Sequence, residues 1–161
     1  MSAPLVHPNE PIRDYYATTL RKLVGVTALW IDQTEPERLD WIPGEPGVTK
    51  ARSILDQIGE LDGIYRRVAS QILGDPAPQA RPEIVDARTA KKSILESGRA
   101  LADLLQGLDP ARLEDEVETY LGPMPRRRQI DIFVIWNTLY HGGVINAYQL
   151  MYGDEEFKLP L

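Results

Sequence analysis

The sequence predicts an all-α protein, a four-helix bundle with two long crossover connections. Three observations carry this. Apolar residues recur at steps of three and four along four long stretches. Segments rich in proline and glycine separate those stretches. Alternating strand patterns are nearly absent. The chain of 161 residues fits one domain, residues 1–161, long enough for a full core.

The first helix is expected from about Pro11 to Asp32, with Asn9 as cap and Ile12, Tyr16, Thr19, Leu23, Val26 and Trp30 along one face. QTEPERLDWIPGEPGV, residues 33–48, is a connection, with one short helical turn expected around Pro36 to Leu39. Thr49 is read as the cap of a second helix, about Lys50 to Leu73, striped by Ile54, Ile58, Leu61, Tyr65, Val68 and Ile72. Gly74 fits its C-terminal cap, and three prolines in GDPAPQARP prevent continuation. The third helix is expected from about Glu83 to Gln106, with Ile84, Ala87, Ile94, Leu101 and Leu105 inward. Residues 108–125 read as irregular. The fourth helix, about Arg126 to Tyr152, is apolar almost all round. Such a helix is buried on several sides, by the core plus a covering loop or a second subunit.

Composition narrows the function. A net charge of −6 argues against nucleic-acid binding and gives no support for an anionic membrane surface. The absence of cysteine removes disulfides, thiolate metal sites and cysteine nucleophiles. No signal-peptide pattern and no apolar run of membrane-spanning length occur, so a cytoplasmic protein is the expectation. No glycine-rich phosphate loop or nucleophile elbow appears. Arg126, Arg127 and Arg128 read as a solvated run facing Glu114, Asp115, Glu116 and Glu118. Tyr15, Tyr16, Trp41 and Tyr140 read as core or lid packing.

One polar cluster stands out. Asn137 and His141 lie four apart on the inner seam Ile130, Val134, Asn137, His141, Val144, Tyr148, Met151, so both point one way. Gln57 interrupts the seam Ile54, Leu61, Ile64, Val68 of the second helix. If these seams meet, Gln57, Asn137 and His141 converge. Buried polar groups need partners, at about 1–3 kcal/mol for each one left unsatisfied. A paired, purely structural cluster is one reading and a ligand site the other. One imidazole and two carboxamides suit a transition metal poorly. Asp56 and Glu60 are expected to face away, and His7, the second histidine, sits in a proline-flanked tail.

Two segments carry a resemblance. LDWIPGEPGVTKARSILDQIGELD resembles the Trp–Pro–Gly connection of the DinB-like, or YfiT-like, superfamily of four-helix bundles, and the helix after it. WNTLYHGGVINAYQLMYGD resembles that superfamily's closing helix, which reads His-x-x-x-His followed by glycine. The resemblance covers essentially the whole chain. It implies a metal triad at Gln57, Asn137 and His141, of which only His141 keeps the histidine. The glutamine that follows the family's closing His–Gly is replaced in GGVIN by Val144.

Three functional expectations follow, from the resemblance, from the carboxamides at its ligand positions and from the all-round apolar fourth helix in turn. One is a metal-dependent transferase, isomerase or hydrolase using a low-molecular-weight thiol. There His141 would bind nickel, zinc or iron, or act alone as general base with Asn137 and Gln57 orienting substrate. The second is a metal-free protein binding a small ligand. The third is a homodimeric interaction protein, compatible with either.

Overall fold

The structure, a computed structural model, describes residues 7–44, 50–75 and 82–153. Among the described residues the regular structure is helical apart from one minimal strand pair. Four long helices dominate the described residues. They are α1 (Glu10–Gln33), α2 (Ile54–Leu73), α3 (Ala87–Gln106) and α4, which begins at Arg126 and ends at Met151. Helix α4 is continuous but not uniform: Arg126–Gln129 and Asn137–Met151 are α-helical, and Ile130–Trp136 between them is π-helical. No helix among the described residues is long and apolar enough to cross a membrane.

Helices α2 and α3 start four residues later than the sequence pattern suggests, and the reason is capping. Ser53 Oγ accepts from the Asp56 N–H (3.2 Å) while the Asp56 carboxylate accepts from the Ser53 N–H (3.0 Å). Asp86 and Thr89 make the same reciprocal pair at the start of α3. Two orphan donors are satisfied at each end, which fixes the first turn there. Thr49, the expected cap, lies outside the described residues. Asn9 holds the cap position of α1, yet its side chain does not cap; Nδ2 reaches across to Glu114 Oε1 (3.0 Å). Gly74 ends α2 as expected, with φ +74°.

The segment expected to be irregular is partly ordered. It holds a 3-10 turn (Pro110–Glu114) and an antiparallel pair of two-residue strands, β1 (Glu116–Val117) and β2 (Met124–Pro125). The pair folds Asp115 over the start of α4, where its carbonyl accepts from the Arg126 N–H (2.8 Å).

The core runs between all four helices. The α2 stripe is buried in full, as expected. The α1 stripe is displaced: Tyr16, Ala17, Leu20, Val24, Thr27, Ala28 and Ile31 are buried, whereas Ile12, Leu23 and Trp30 only flank the core. Small residues set this rotation. A Cβ on Gly98 of α3 would lie 2.4 Å from Val24 Cγ2, so the α1–α3 approach requires glycine there. Gly142 of α4 is covered likewise by the Trp30 ring.

Several polar links tie the helices, and three of them reach into the core. Asp62 of α2 is buried and satisfied, accepting from Ser93 Oγ (2.6 Å) and Arg66 Nε (2.9 Å). Tyr65 donates its hydroxyl proton to Thr138 Oγ1 (2.6 Å), because the Thr138 proton is committed to the Val134 carbonyl. Gln149 Nε2 donates to Thr34 Oγ1 (3.1 Å), joining the ends of α4 and α1. Tyr16 is core and Trp41 packs edge-on against Tyr148 and Tyr152, as expected; Tyr15 and Tyr140 are exposed, which corrects their assignment to packing.

The arginine run divides. Arg127 pairs with Glu114 (3.4 Å) at the surface, as read from sequence. Arg126 is instead buried where α4 meets the 3-10 turn, 3.9 Å from the Asp115 carboxylate, and its Nε and Nη1 have no hydrogen-bond partner.

Candidate functional site

Helices α2 and α4 face each other at Gln57 and His141, the one 6% and the other 3% exposed. His141 Nδ1 and Gln57 Oε1 are hydrogen-bonded directly. The orientation of the carboxamide is fixed from its other end, where Gln57 Nε2 donates to the Arg52 carbonyl (3.4 Å). Gln57 therefore presents oxygen to the imidazole, and an amide oxygen can only accept. The ring proton sits on Nδ1, leaving the Nε2 lone pair bare. Nε2 is buried with no hydrogen-bond partner, and Glu60 Oε1 lies 3.9 Å from it.

Glu60 corrects an expectation, since it approaches His141 rather than facing away. Three residues along a helix bring side chains to one side, and Glu60 follows Gln57 by three. Asp56 does face elsewhere, as the capping partner of Ser53. Glu60 is also paired with Arg52 at the mouth of the site. Burial lowers the His141 pKa below the ordinary histidine value; Glu60 raises it and Arg52 lowers it further. The imidazole is thus neutral at pH 7, with one nitrogen donating and the other unused.

Asn137 is brought near but not in. It is half-buried, forms no hydrogen bond with Gln57 or His141, and lines a neighbouring cavity of about 900 Å³. Gln129, Phe133 and Asn137 of α4 form one wall. Glu60, Ile64 and Gln71 of α2 belong to the facing wall, and Glu118 and Tyr120 close one end. The floor at Gly59 is open, with nothing within 4 Å of where a Cβ would stand. The α4 wall includes part of the π-helical stretch, a distortion that recurs at functional sites because it turns side chains out of normal register. His141 is not among the lining residues; it stands behind Glu60 and Asn137.

The residues do not fit a divalent transition metal. No group of three or more His, Cys, Asp or Glu placed to share an ion occurs among the described residues. Gln57 Oε1 is engaged by the imidazole, and Glu60 by Arg52. His7 supplies no second imidazole, since its Nδ1 accepts from the Asn9 N–H (3.2 Å) at the start of α1.

Sequence reasoning brought Gln57 and His141 together and missed three features. Glu60 was legible from its spacing. Gln129 hides in the run RRRQ, which reads as surface, yet it is 3% exposed. The cavity itself depends on loop positions that carry no periodic signal.

Fold and site define an all-helical protein with a substantial cavity beside a buried Gln–His pair. No family model, curated protein or solved structure matches the chain.

Proposed function

We propose that this chain is a four-helix bundle of the DinB-like type that binds a small organic molecule without a metal. The observation that carries this is the Gln57–His141 hydrogen bond. It occupies the place where the resemblance puts a metal triad, and it engages the Gln57 oxygen that a metal would need as a ligand. The neutral imidazole and the two carboxamides then serve as hydrogen-bonding groups in and behind a cavity of about 900 Å³, a volume typical of small-molecule sites. His141 stands behind the lining, 3.9 Å from Glu60, and does not itself reach the cavity.

Elemental analysis of the untagged protein beside His141→Ala tests this. Neither protein should hold metal after loading, and a thermal-shift screen of small acids, amines and thiols should return stabilising ligands. Near-stoichiometric nickel, zinc or iron lost in His141→Ala would overturn the proposal in favour of a metal-dependent, thiol-using enzyme.

A second reading concerns assembly. We infer that the outer face of α4 pairs with a second copy of the chain. Trp136 (68% exposed), Leu139, Tyr140 (65% exposed), Gly143, Ala147 and Leu150 fall along that face, and the chain has no Asp, Glu, Lys or Arg between Asp131 and Asp154. The apolar area is on the order of 600 Å², at the upper end of the largest patch a monomer leaves uncovered and about three quarters of the roughly 800 Å² per partner of a standard interface. Gly143 and Ala147 lie mid-face, where small residues let two helices approach. Light scattering should give a dimer that Leu139→Glu converts to a folded monomer. A wild-type monomer at high concentration would remove this reading.

A further inference from the structure

The cavity between α2 and α4 has an unfinished side. Phe133 and Asn137 belong to its α4 wall and are only half-buried. Tyr140 follows Asn137 by three residues and Trp136 by four, so the wall runs directly into the exposed outer face of α4. The Tyr140 ring stands edge-on to His141 at 5.2 Å, which places it beside the cavity and not on the far side of the helix. At one end Tyr120 also lines the cavity, its ring 5.1 Å from that of Phe133, yet it is 80% exposed. Leu121 next to it is exposed as well.

The two sides of the mouth differ in charge. Arg52, Asp56, Glu60 and Arg67 stand on the α2 side. On the α4 side the chain has no Asp, Glu, Lys or Arg between Asp131 and Asp154. An apolar cover can seat on α4 without stripping water from a charge, and cannot do so on α2. Adding Tyr120, Leu121 and Met151 to the outer face brings the exposed side-chain surface to on the order of 800 Å², the share one partner gives to a standard interface.

We infer that a second copy of the chain, seated on this face, supplies the missing wall of the cavity, so that the site is complete only in the dimer. This rests on the pairing of α4 faces proposed above. A ligand then enters and leaves as the copies separate, and ligand binding and self-association strengthen each other by the same factor.

The absence of cysteine allows a test that needs no ligand. Gly59 lines the cavity and has nothing within 4 Å of an added Cβ, so Gly59→Cys puts one thiol inside it. Lys92→Cys, on the exposed side of α3, is the control. Modification by N-ethylmaleimide is timed for each, with and without Leu139→Glu, which splits the dimer at a residue outside the cavity lining. Where about a tenth of the chain is monomer, Gly59→Cys should react about ten-fold more slowly than it does with Leu139→Glu, because only the open form is attacked. Lys92→Cys should react equally in both. Dilution of Gly59→Cys alone should raise its rate as the dimer dissociates, which serves if the Leu139 variant fails to fold. A dimer in which Gly59→Cys reacts at the monomer's rate would overturn the closure and leave the pairing of α4 faces standing. A monomer at every concentration would overturn both.

Discussion

His141 reaches Gln57 across the α2–α4 interface through Nδ1, and the Gln57 carboxamide is anchored behind by the Arg52 carbonyl. The interface therefore depends on glutamine for both shape and polarity. Gln57→Leu should leave a buried N–H unpaired and lower stability by about 1–3 kcal/mol. Urea denaturation of the two proteins measures it, and an unchanged midpoint would mean that water replaces the amide.

The same burial makes stability depend on pH. His141 has a folded pKa below its unfolded one, so the unfolded chain takes up its proton first as pH falls. The contribution is complete above about pH 6.5 and declines below it, towards the lowered folded value. Denaturation midpoints at pH 8, 7, 6 and 5 should fall across that window in the wild type. The fall should be smaller in His141→Gln, which has no proton to take up.

Placing histidines at the two carboxamide positions tests the resemblance directly. Gln57→His with Asn137→His should give a variant that holds near-stoichiometric zinc, removable by a chelator, where the wild type holds less. Equilibrium dialysis reads the difference. Failure of the double variant to take zinc, while still folded, would count against the family resemblance at these positions.

Gly98→Ala should destabilise by about 1–3 kcal/mol, because its methyl would collide with Val24 and meet Tyr65 at 3.3 Å. Gly25→Ala, with nothing within 4 Å of its added methyl, is the matched control and should be neutral or stabilising. Thermal unfolding of the two variants separates close packing from helix propensity.

Tyr65→Phe removes one buried donor while Thr138 keeps its own bond to the Val134 carbonyl. The cost should be modest, about 0.5–1.5 kcal/mol. A much larger loss would show that the pair positions the π-helical stretch as well as stabilising it.

Much of this was legible in the sequence. The α2 stripe from Ile54 to Ile72 was correct because large aliphatic residues alone define it. The α1 stripe was rotated because Ala17, Thr27 and Ala28 are buried without being strongly apolar, while Trp30 is bulky enough to flank the core and still look central. Capping moved two helix starts because Ser53–Asp56 and Asp86–Thr89 outrank the residues before them. At the site, Gln57 and His141 were found as polar breaks in apolar seams. Asn137 met the same criterion but opens to the cavity. Between Gln129 and Asn137 the helix is wound more loosely than the α-helical wheel used to phase those seams assumes.

That loose winding has a consequence for how the protein can change. Ile130–Trp136 holds more residues per turn than its neighbours, so it acts as a phase setting for everything after it. Rewinding it into ordinary α-helix with no residue lost would rotate the rest of α4 by about 100°. His141 would swing off Gln57, Gly142 would leave Trp30, and the tryptophan–tyrosine face would turn inward, although none of those residues had been altered. The pairing of Gln57 with His141 is thus an angular property of the helix, kept while the extra residue in this stretch is matched by its looser winding.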